Sequence, residues 1–540
     1  MKTEHQSSDI GVTTSTREKA STTTSTITVD WDGPDDPTRP PNWSLVRKWT
    51  IVTLNSLATF MVSFSSSAFT GSLTQVQDEF DVSGDIALLG ISLYVMGFAF
   101  GPMVWGPASE LYGKKRPLWS GYVAFCLFQI LSAVSWSMLA LLVSRVLEAV
   151  AGSATFAIMT GMFVDFLKDP TSRGIAAAMF SMSVFCGPAA GPIVGTVVTD
   201  HFGWRWSAWI TLIFSVVFGV AAFLVTPETS EAVILERRAQ RLRKKTGGDV
   251  VVCVSEQGEK PSVAAFVEKY LTKPVRMFAL EPILSIMTVY MSFVYGIIYL
   301  TFELYPQAFV VVRGWSAVDA SMSFFGILGG AVVACIVLGA HSIYHVGPRF
   351  AETNQHVPER RLPPMILGSI ILPAGASSLN TPRIVRQAEQ ANLTKGIFWF
   401  SWTSFPEVPA LAQVFSGVLI GSGSILSFMS GVLYLTEVYL AHANSALAIN
   451  NFIRSIFAAA FPILFGFTDP STRKTATMEW PICPTPPKDA TGLSRTVFIK
   501  VTCLHRISPP NDGWDGWHTC VSWLASLKAD AHEFEKIHRR

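Results

Sequence analysis

Residues 101–118 read GPMVWGPASELYGKKRPL and connect two apolar segments, Ile86–Trp105, whose end they include, and Leu118–Trp136, whose first residue they include. Each segment has about 20 residues, the length that an α-helix needs to cross a hydrocarbon core of roughly 30 Å. The loop carries three consecutive bases (114–116), and bases in short loops favour the cytosolic side of a membrane. The stretch therefore predicts two membrane-spanning helices that are joined in the cytosol.

The composition of the whole chain agrees with this prediction. Of its 540 residues, 49% are hydrophobic and 15% are charged, whereas soluble domains carry about 25% charged residues. The charges are concentrated in three polar regions, namely 1–48, 227–276 and 468–540. We therefore predict an all-α polytopic membrane protein. The net charge of +2 gives no indication of nucleic-acid binding, and the seven scattered cysteines form no metal or disulfide pattern.

Eleven apolar segments are recognisable as spans, six before the basic region 227–276 and five after it. The predicted spans are Trp49–Leu73, Ile86–Trp105, Leu118–Trp136, Met138–Met162, Gly174–Val198, Trp206–Val225, Met277–Leu300, Ala320–Ala340, an interrupted ninth span, Val408–Leu435 and Ala446–Phe467. This order predicts two helical halves, 49–226 and 277–467, joined by a cytosolic loop (227–276). The bases of the loops place the N-terminal tail (1–48), which we expect to be disordered, in the cytosol.

Two regions depart from a regular twelve-span layout. The ninth span consists of Met365–Ala376 and Gly396–Ser404, separated by a polar stretch (377–395), and neither part is long enough to cross alone. It is either a broken transporter helix or, as we prefer, one span with an atypical insertion. After Phe467 no window of 18 residues is predominantly apolar. The tail 468–540 either follows an eleven-span protein or stands where a twelfth span is missing or altered, and the second interpretation is the more economical.

The loop quoted above resembles the GxxxDxxGRK signature of the major facilitator superfamily through Gly106, Glu110, Gly113, Lys114 and Lys115. Glycines permit a tight turn, and the acid can accept charge-assisted hydrogen bonds from a neighbouring base or helix end. The alternative is an ordinary cytosolic loop, which would require the bases but not the glycines. The resemblance implies a fold of two six-helix halves and a role for these residues in conformational change.

The fourth span, LLVSRVLEAVAGSATFA (141–157), carries Arg145 near its middle and Glu148 on the same helical face. A charge at this depth is costly unless it is paired or lines a water-filled cavity. Arg145 resembles the arginine of the superfamily's LxxxRxxxG signature. We interpret the pair as a candidate for proton coupling, and the alternative is a structural ion pair.

The fifth span contains FCGPAAGPIVG (185–195), in which glycines recur every four residues and two prolines interrupt the helical hydrogen bonding. Small residues at this spacing let helix backbones approach closely, so the face could be a dimerisation surface or a packing seam. Gly187, Pro188, Gly191 and Pro192 resemble the GPxxGP motif of the superfamily's drug:proton antiporters. We expect this face to seal one half of the protein against the other.

Further pieces, among them PNWSLVRKW (41–49) and SALAINNFIRSIFAAAFP (445–462), resemble fungal twelve-span drug:proton antiporters. The resemblance implies a plasma-membrane protein, monomeric and surrounded by lipid. It would export small amphipathic or aromatic compounds, such as drugs, toxins or secondary metabolites, by alternating access, with protons as the driving ions and without a cofactor. The alternatives are a facilitator or importer of a small nutrient and a non-functional truncated transporter. No motif indicates an enzyme.

Aromatic and polar residues of the seventh and eleventh spans are candidates for the substrate cavity, since stacking and cation–π contacts suit flat ligands. Packing or lipid contact is the alternative role for the aromatic residues. The candidates are Tyr290, Phe293, Tyr295, Tyr299, Asn451 and Arg454.

Overall fold

The protein is described by a computed structural model for residues 12–15, 26–246, 251–253, 268, 272–349, 357–376, 409–439 and 443–466. Nearly all of the described regular structure is helical. The helices are α1 (Leu45–Ala68), α2 (Leu73–Phe80), α3 (Gly84–Tyr112), α4 (Lys115–Ala133), α5 (Met138–Gly152), α6 (Ala154–Phe166), α7 (Pro170–Phe202), α8 (Trp204–Val225), α9 (Glu231–Thr246), α10 (Lys273–Leu280), α11 (Pro282–Pro306), α12 (Ala317–Met322), α13 (Phe325–His341), α14 (Leu362–Ala376), α15 (Ala410–Tyr439) and α16 (Ala443–Gly466).

Within these ranges nine helical segments are long and apolar enough to cross a membrane. They correspond to twelve of the helices above, because three segments each join two helices: α1 with α2, α5 with α6, and α12 with α13. The third predicted span is the 19-residue helix α4, which is not among the nine. It nevertheless packs between α5 and α8, as a member of the bundle does.

The interrupted ninth span is represented by α14, which has 15 residues and packs along α15. The other part of that span, Gly396–Ser404, the stretch 377–395 and the tail 468–540 lie outside the described residues. The predictions made for them therefore stay predictions.

Each half is held together by its own helix pairs. In the first half α1 packs against α7 and α8, and α5 packs against α3 and α4. In the second half α11 packs against α16, while α15 packs against α13 and α14. The halves meet in two crosswise pairs, α3 with α16 and α7 with α13. The second span of one half thus contacts the fifth span of the other, which is the pairing expected of two halves with the same internal order.

Residues 26–44 carry more structure than the predicted disordered tail. Strand β2 (Thr26–Val29) pairs with β1 (Val12–Ser15) and with β3 (Val251–Cys253) of the central loop. After β2, Arg238 of α9 forms ion pairs with Asp32 and with Asp36, the latter at 3.3 Å. Arg39 pairs with Glu231 of the same helix at 3.1 Å. The partners of this segment are therefore supplied by the central loop.

Asp36 is the most buried acid of this contact, with 6% of its surface exposed. Burial opposes its ionisation, but hydrogen bonds from Thr38, from the Asp32 amide and from Arg238 outweigh burial and lower the pKa of Asp36. We call residues 30–44 together with α9 the N-terminal clasp.

Candidate functional site

Arg145 and Glu148 form a buried ion pair inside the first half. The Arg145 Nη1 atom lies 3.6 Å from the Glu148 Oε2 atom, and the two side chains are 6% and 1% exposed. Arg145 also donates to three backbone carbonyls, those of Ser65 at 3.0 Å, Ser66 at 3.2 Å and Gly90 at 3.3 Å. The guanidinium therefore links α5 to α1 and α3, and its hydrogen bonds replace the water that it lost on burial.

Glu148 accepts hydrogen bonds from two serines of other helices. The hydroxyl of Ser65 in α1 donates to Oε1 at 2.5 Å, and that of Ser132 in α4 donates to Oε2 at 3.2 Å. Beside the ion pair is a cavity of about 30 Å³ lined by Arg145, Glu148, Gln129 and several hydroxyl groups. A water molecule needs roughly 10–15 Å³ measured in this way. The arrangement can therefore place a water next to a buried carboxylate.

The loop between α3 and α4 is organised by an acid that follows α8. Glu228 accepts hydrogen bonds from the amides of Lys114 at 2.9 Å and Lys115 at 3.4 Å, and it lies 3.6 Å from the Arg237 guanidinium. Gly113 ends α3 with φ of 83°, and a Cβ atom there would lie 2.5 Å from the Glu228 carboxylate. Only glycine combines this backbone conformation with so close a contact.

The lysines of the loop have separate partners. Lys114 forms a salt bridge of 2.7 Å with Asp165 at the end of α6 and donates to the Gly161 carbonyl. Lys115 lies over the ring of Phe223 at 4.9 Å. Glu110 is exposed, and Glu228 accepts from the amides at the start of α4. A Cβ atom on Gly106 would have no other atom within 4 Å, so a close contact does not explain why this position is a glycine.

The glycines of the fifth span pack against α1 of the same half. A Cβ atom on Gly187 would lie 2.5 Å from that of Ser63, and one on Gly191 would lie 2.7 Å from the Ala68 amide nitrogen. On Gly195 it would lie 2.1 Å from the Ala68 carbonyl oxygen. The expectation that this face seals one half against the other is therefore wrong. It joins α7 to α1, because only glycine permits the two backbones to come this close. Pro188 and Pro192 lie within the same uninterrupted helix.

Four of the cavity candidates come together where the halves meet. Tyr295 and Tyr299 of α11 are buried and form an edge-on pair with centroids 5.2 Å apart. Arg454 of α16 lies over the Tyr295 ring at 4.9 Å and donates to the Asn451 side-chain oxygen. Asn451 in turn donates to the Phe98 carbonyl of α3 at 2.9 Å.

Two aromatic residues that the sequence did not indicate complete this group. Phe428 of α15 stacks with Tyr295 at 5.8 Å and lies 4.6 Å from the Arg454 guanidinium carbon. Phe185 of α7, two residues before the first glycine of the GPxxGP region, meets Phe428 edge-on at 5.1 Å. We call Phe185, Tyr295, Phe428 and Arg454 the central cluster.

The two other candidates lie elsewhere. Phe293 is half exposed and packs against Phe457 and Phe461, on the face of α11 that also exposes Ile286 and Val289. Tyr290 donates to the hydroxyl of Ser427 in α15 at 2.9 Å. Among the described residues no three histidine, cysteine or acidic side chains gather as metal ligands would.

Sequence comparisons agree with this architecture. The family model of the Major Facilitator Superfamily matches residues 56–462. A citrinin biosynthesis cluster MFS transporter of Monascus ruber, mrr1, is 42% identical over 438 residues, covering 81% of this chain and 83% of the relative. The efflux pump FUBT of Fusarium oxysporum is 36% identical over 429 residues, covering 78% of this chain and 67% of the relative.

Among solved structures, the proton:xylose symporter XylE superposes with a TM-score of 0.54 at 14% sequence identity, covering 86% of this chain and 95% of that one. This likeness shows the fold alone. The fold and family that the sequence predicted are confirmed, and members of this family are transporters rather than enzymes. The chain belongs to the Major Facilitator Superfamily.

Proposed function

We propose that the protein is a proton-coupled exporter of small aromatic or amphipathic compounds, of the kind that fungal biosynthesis clusters produce. It works in the plasma membrane as a monomer, with its N-terminus in the cytosol. The names of the relatives support export and this class of compound, since one belongs to a citrinin cluster and another is an efflux pump. The crosswise helix pairs support alternating access, because rocking about them exposes the space between the halves to each side in turn.

The burial of the Glu148 carboxylate is the observation that supports proton coupling. It is a fully buried carboxylate at mid-span depth, and ionisable groups at such positions are commonly parts of proton relays. The adjacent cavity has room for a water molecule that could deliver or receive a proton. Protonation would neutralise Glu148 and weaken its attraction to Arg145, so the contacts between α1, α4 and α5 depend on whether the proton is bound.

The proposal is tested in inside-out plasma-membrane vesicles of a yeast that expresses the protein. With the vesicle interior acidified, the wild type should accumulate citrinin or a lipophilic dye, and each addition of substrate should release protons from the interior. A protonophore should abolish accumulation. Accumulation that ignores both the pH gradient and the protonophore would contradict proton coupling, and absence of accumulation in every condition would contradict export.

Two variants locate the coupling group. Glu148→Gln keeps the size and one acceptor oxygen but cannot ionise, so it should equilibrate substrate down its gradient without concentrating it. Asp200→Asn removes an acid that is 62% exposed at the end of α7 and should behave like the wild type. Concentrative uptake by Glu148→Gln at the wild-type level would exclude Glu148 as the proton carrier.

A further inference from the structure

Near the middle of spans, the described structure has a buried arginine, Arg145, and a partly buried one, Arg454, and they differ in their partners. Arg145 has Glu148 as a counter-ion. Arg454 has the Asn451 oxygen and two aromatic rings, and no carboxylate of the described residues pairs with it. Its Nε atom is buried and has no hydrogen-bond partner. The site around Arg454 therefore lacks one acceptor and one negative charge.

A guanidinium at this depth is costly without an anion, since aromatic faces stabilise a cation less than a carboxylate does. The Nε–H and one Nη–H of arginine point in parallel and match the two oxygens of a carboxylate. Because the Nε–H is unused, this side of Arg454 is the side that a carboxylate could bind with two hydrogen bonds.

The surroundings of Arg454 suit the rest of an aromatic ligand. The rings of Tyr295 and Phe428 flank the guanidinium, and Phe185 from the other half packs against Phe428. Two further contacts cross between the halves here, Asn451 to the Phe98 carbonyl at 2.9 Å and the Tyr299 hydroxyl to the Ser66 hydroxyl at 3.2 Å. Separation of the halves at either side would break these contacts and expose Arg454 together with three aromatic rings.

We propose that Arg454 is the counter-ion of the transported compound, and that the central cluster selects aromatic anions. The carboxylate or phenolate of the compound binds the Nε and Nη of Arg454, and its ring stacks among Phe185, Tyr295 and Phe428. This proposal rests on the proposed export function and names its substrate class. Arg454 thereby determines specificity for charge, whereas the rings determine specificity for shape.

The test measures binding to purified full-length protein in detergent with three naphthalene probes of similar size. These are 2-naphthoate, its methyl ester and the 2-naphthyltrimethylammonium cation. The wild type should bind the anion at least about tenfold more tightly than the ester, a ratio that corresponds to about 1.4 kcal/mol, and more tightly than the cation. Equal affinities, or preference for the cation, would overturn the proposal before any variant is made.

Variants then assign the preference to one residue. Arg454→Gln should lose the preference for the anion while it binds the ester within about threefold of the wild type, and Arg454→Lys should retain part of the preference because it keeps the charge. Arg313→Gln removes a cation that contacts Gln413 outside the cluster, and it should change none of the affinities. An undiminished preference for the anion in Arg454→Gln would overturn the assignment.

The binding assay uses no pH gradient, so its outcome is distinct from that of the transport assay. Selective anion binding without proton-driven accumulation would support the site and contradict the proposed transport. Accumulation of citrinin and of neutral dyes alike, without selective binding of the naphthoate, would support transport and contradict the site.

Discussion

The close contact between α1 and α7 predicts that Gly195→Ala lowers the free energy of unfolding. A Cβ atom at this position would lie 2.1 Å from the Ala68 carbonyl oxygen, whereas real Cβ atoms essentially never come within 3.0 Å of another atom. The obstructing atom belongs to the backbone of α1, so a rotation of a side chain cannot relieve the contact. The two helices would have to move apart by roughly 1 Å to restore a separation of 3.0 Å, and overpacked cores respond through such backbone shifts.

The cost can be set against the intrinsic gain from the substitution. Overpacking of a close-packed interface costs about 1–3 kcal/mol, and a contact with rigid backbone belongs at the upper end. Replacement of a helical glycine by alanine stabilises the helix by up to about 1 kcal/mol. We therefore expect Gly195→Ala to lower the free energy of unfolding by about 2 kcal/mol, the difference between these two terms.

Gly106→Ala is the matched control, because it also replaces a helical glycine but meets no atom within 4 Å. The two variants are compared by thermal unfolding in detergent and by export from whole cells. Gly195→Ala should melt at a lower temperature than the wild type and export less, and Gly106→Ala should melt at the same temperature or higher. Identical melting of the two variants would refute the argument from backbone contact.

Two further predictions concern parts of the protein outside the central cluster. Glu228→Gln should lower the free energy of unfolding by about 1–3 kcal/mol, since it weakens charge-assisted bonds to four amides and removes the ion pair with Arg237. Thermal unfolding measures this, and Glu236→Gln on the exposed side of α9 should have no comparable effect. In the N-terminal clasp, ionised Asp36 stabilises the contact with Arg238, and its pKa in the folded protein is below the ordinary value of 3.8. This stabilisation is fully present at pH values above 3.8 and is lost as the pH falls through the lowered pKa. Asp36→Asn should therefore make residues 30–44 more susceptible to protease at neutral pH and remove the difference between neutral and acid pH, and equal cleavage of variant and wild type at neutral pH would contradict this role.

The sequence predicted the helices well because lipid permits few alternatives to a long apolar helix. The predicted ends of the helices were less accurate. The fifth span was predicted as Gly174–Val198, whereas α7 begins at Pro170, where the Asp169 side chain accepts from the Ser172 amide at 2.8 Å. Such a first turn is polar and lies outside the apolar segment, so hydropathy does not reveal it.

The site was predicted in part, and the difference follows from sequence separation. Arg145 and Glu148 stand out because they are charges within an apolar segment. Phe185 and Phe428 are two of 37 phenylalanines, and nothing near them in the sequence marks the contact of Phe428 with Arg454 or of Phe185 with Phe428. Asp165 and Glu228 were missed as partners of the α3–α4 loop because the lysines that they bind are 51 and 114 residues away.

Phe293 was assigned to the cavity with Tyr295 although the two positions cannot share a face. Residues two apart lie roughly 200° apart around a helix. The half-exposed ring of Phe293 is consistent with this geometry. The correct partners of Tyr295 on its own helix are three or four residues away, as Tyr299 is.

The two mid-span arginines also bear on how the chain is inserted during synthesis. An arginine at the middle of a helix costs about 2.5–3.5 kcal/mol when it enters a membrane alone. The backbone carbonyls that receive Arg145 belong to Ser65, Ser66 and Gly90, all of which leave the ribosome earlier. The described partners of Arg454 likewise precede it in the chain. Apart from Glu148, which follows Arg145 by three residues, the partners named here are made before the arginine that contacts them. Translation from the N-terminus therefore supplies most of the polar partners before the charge that needs them.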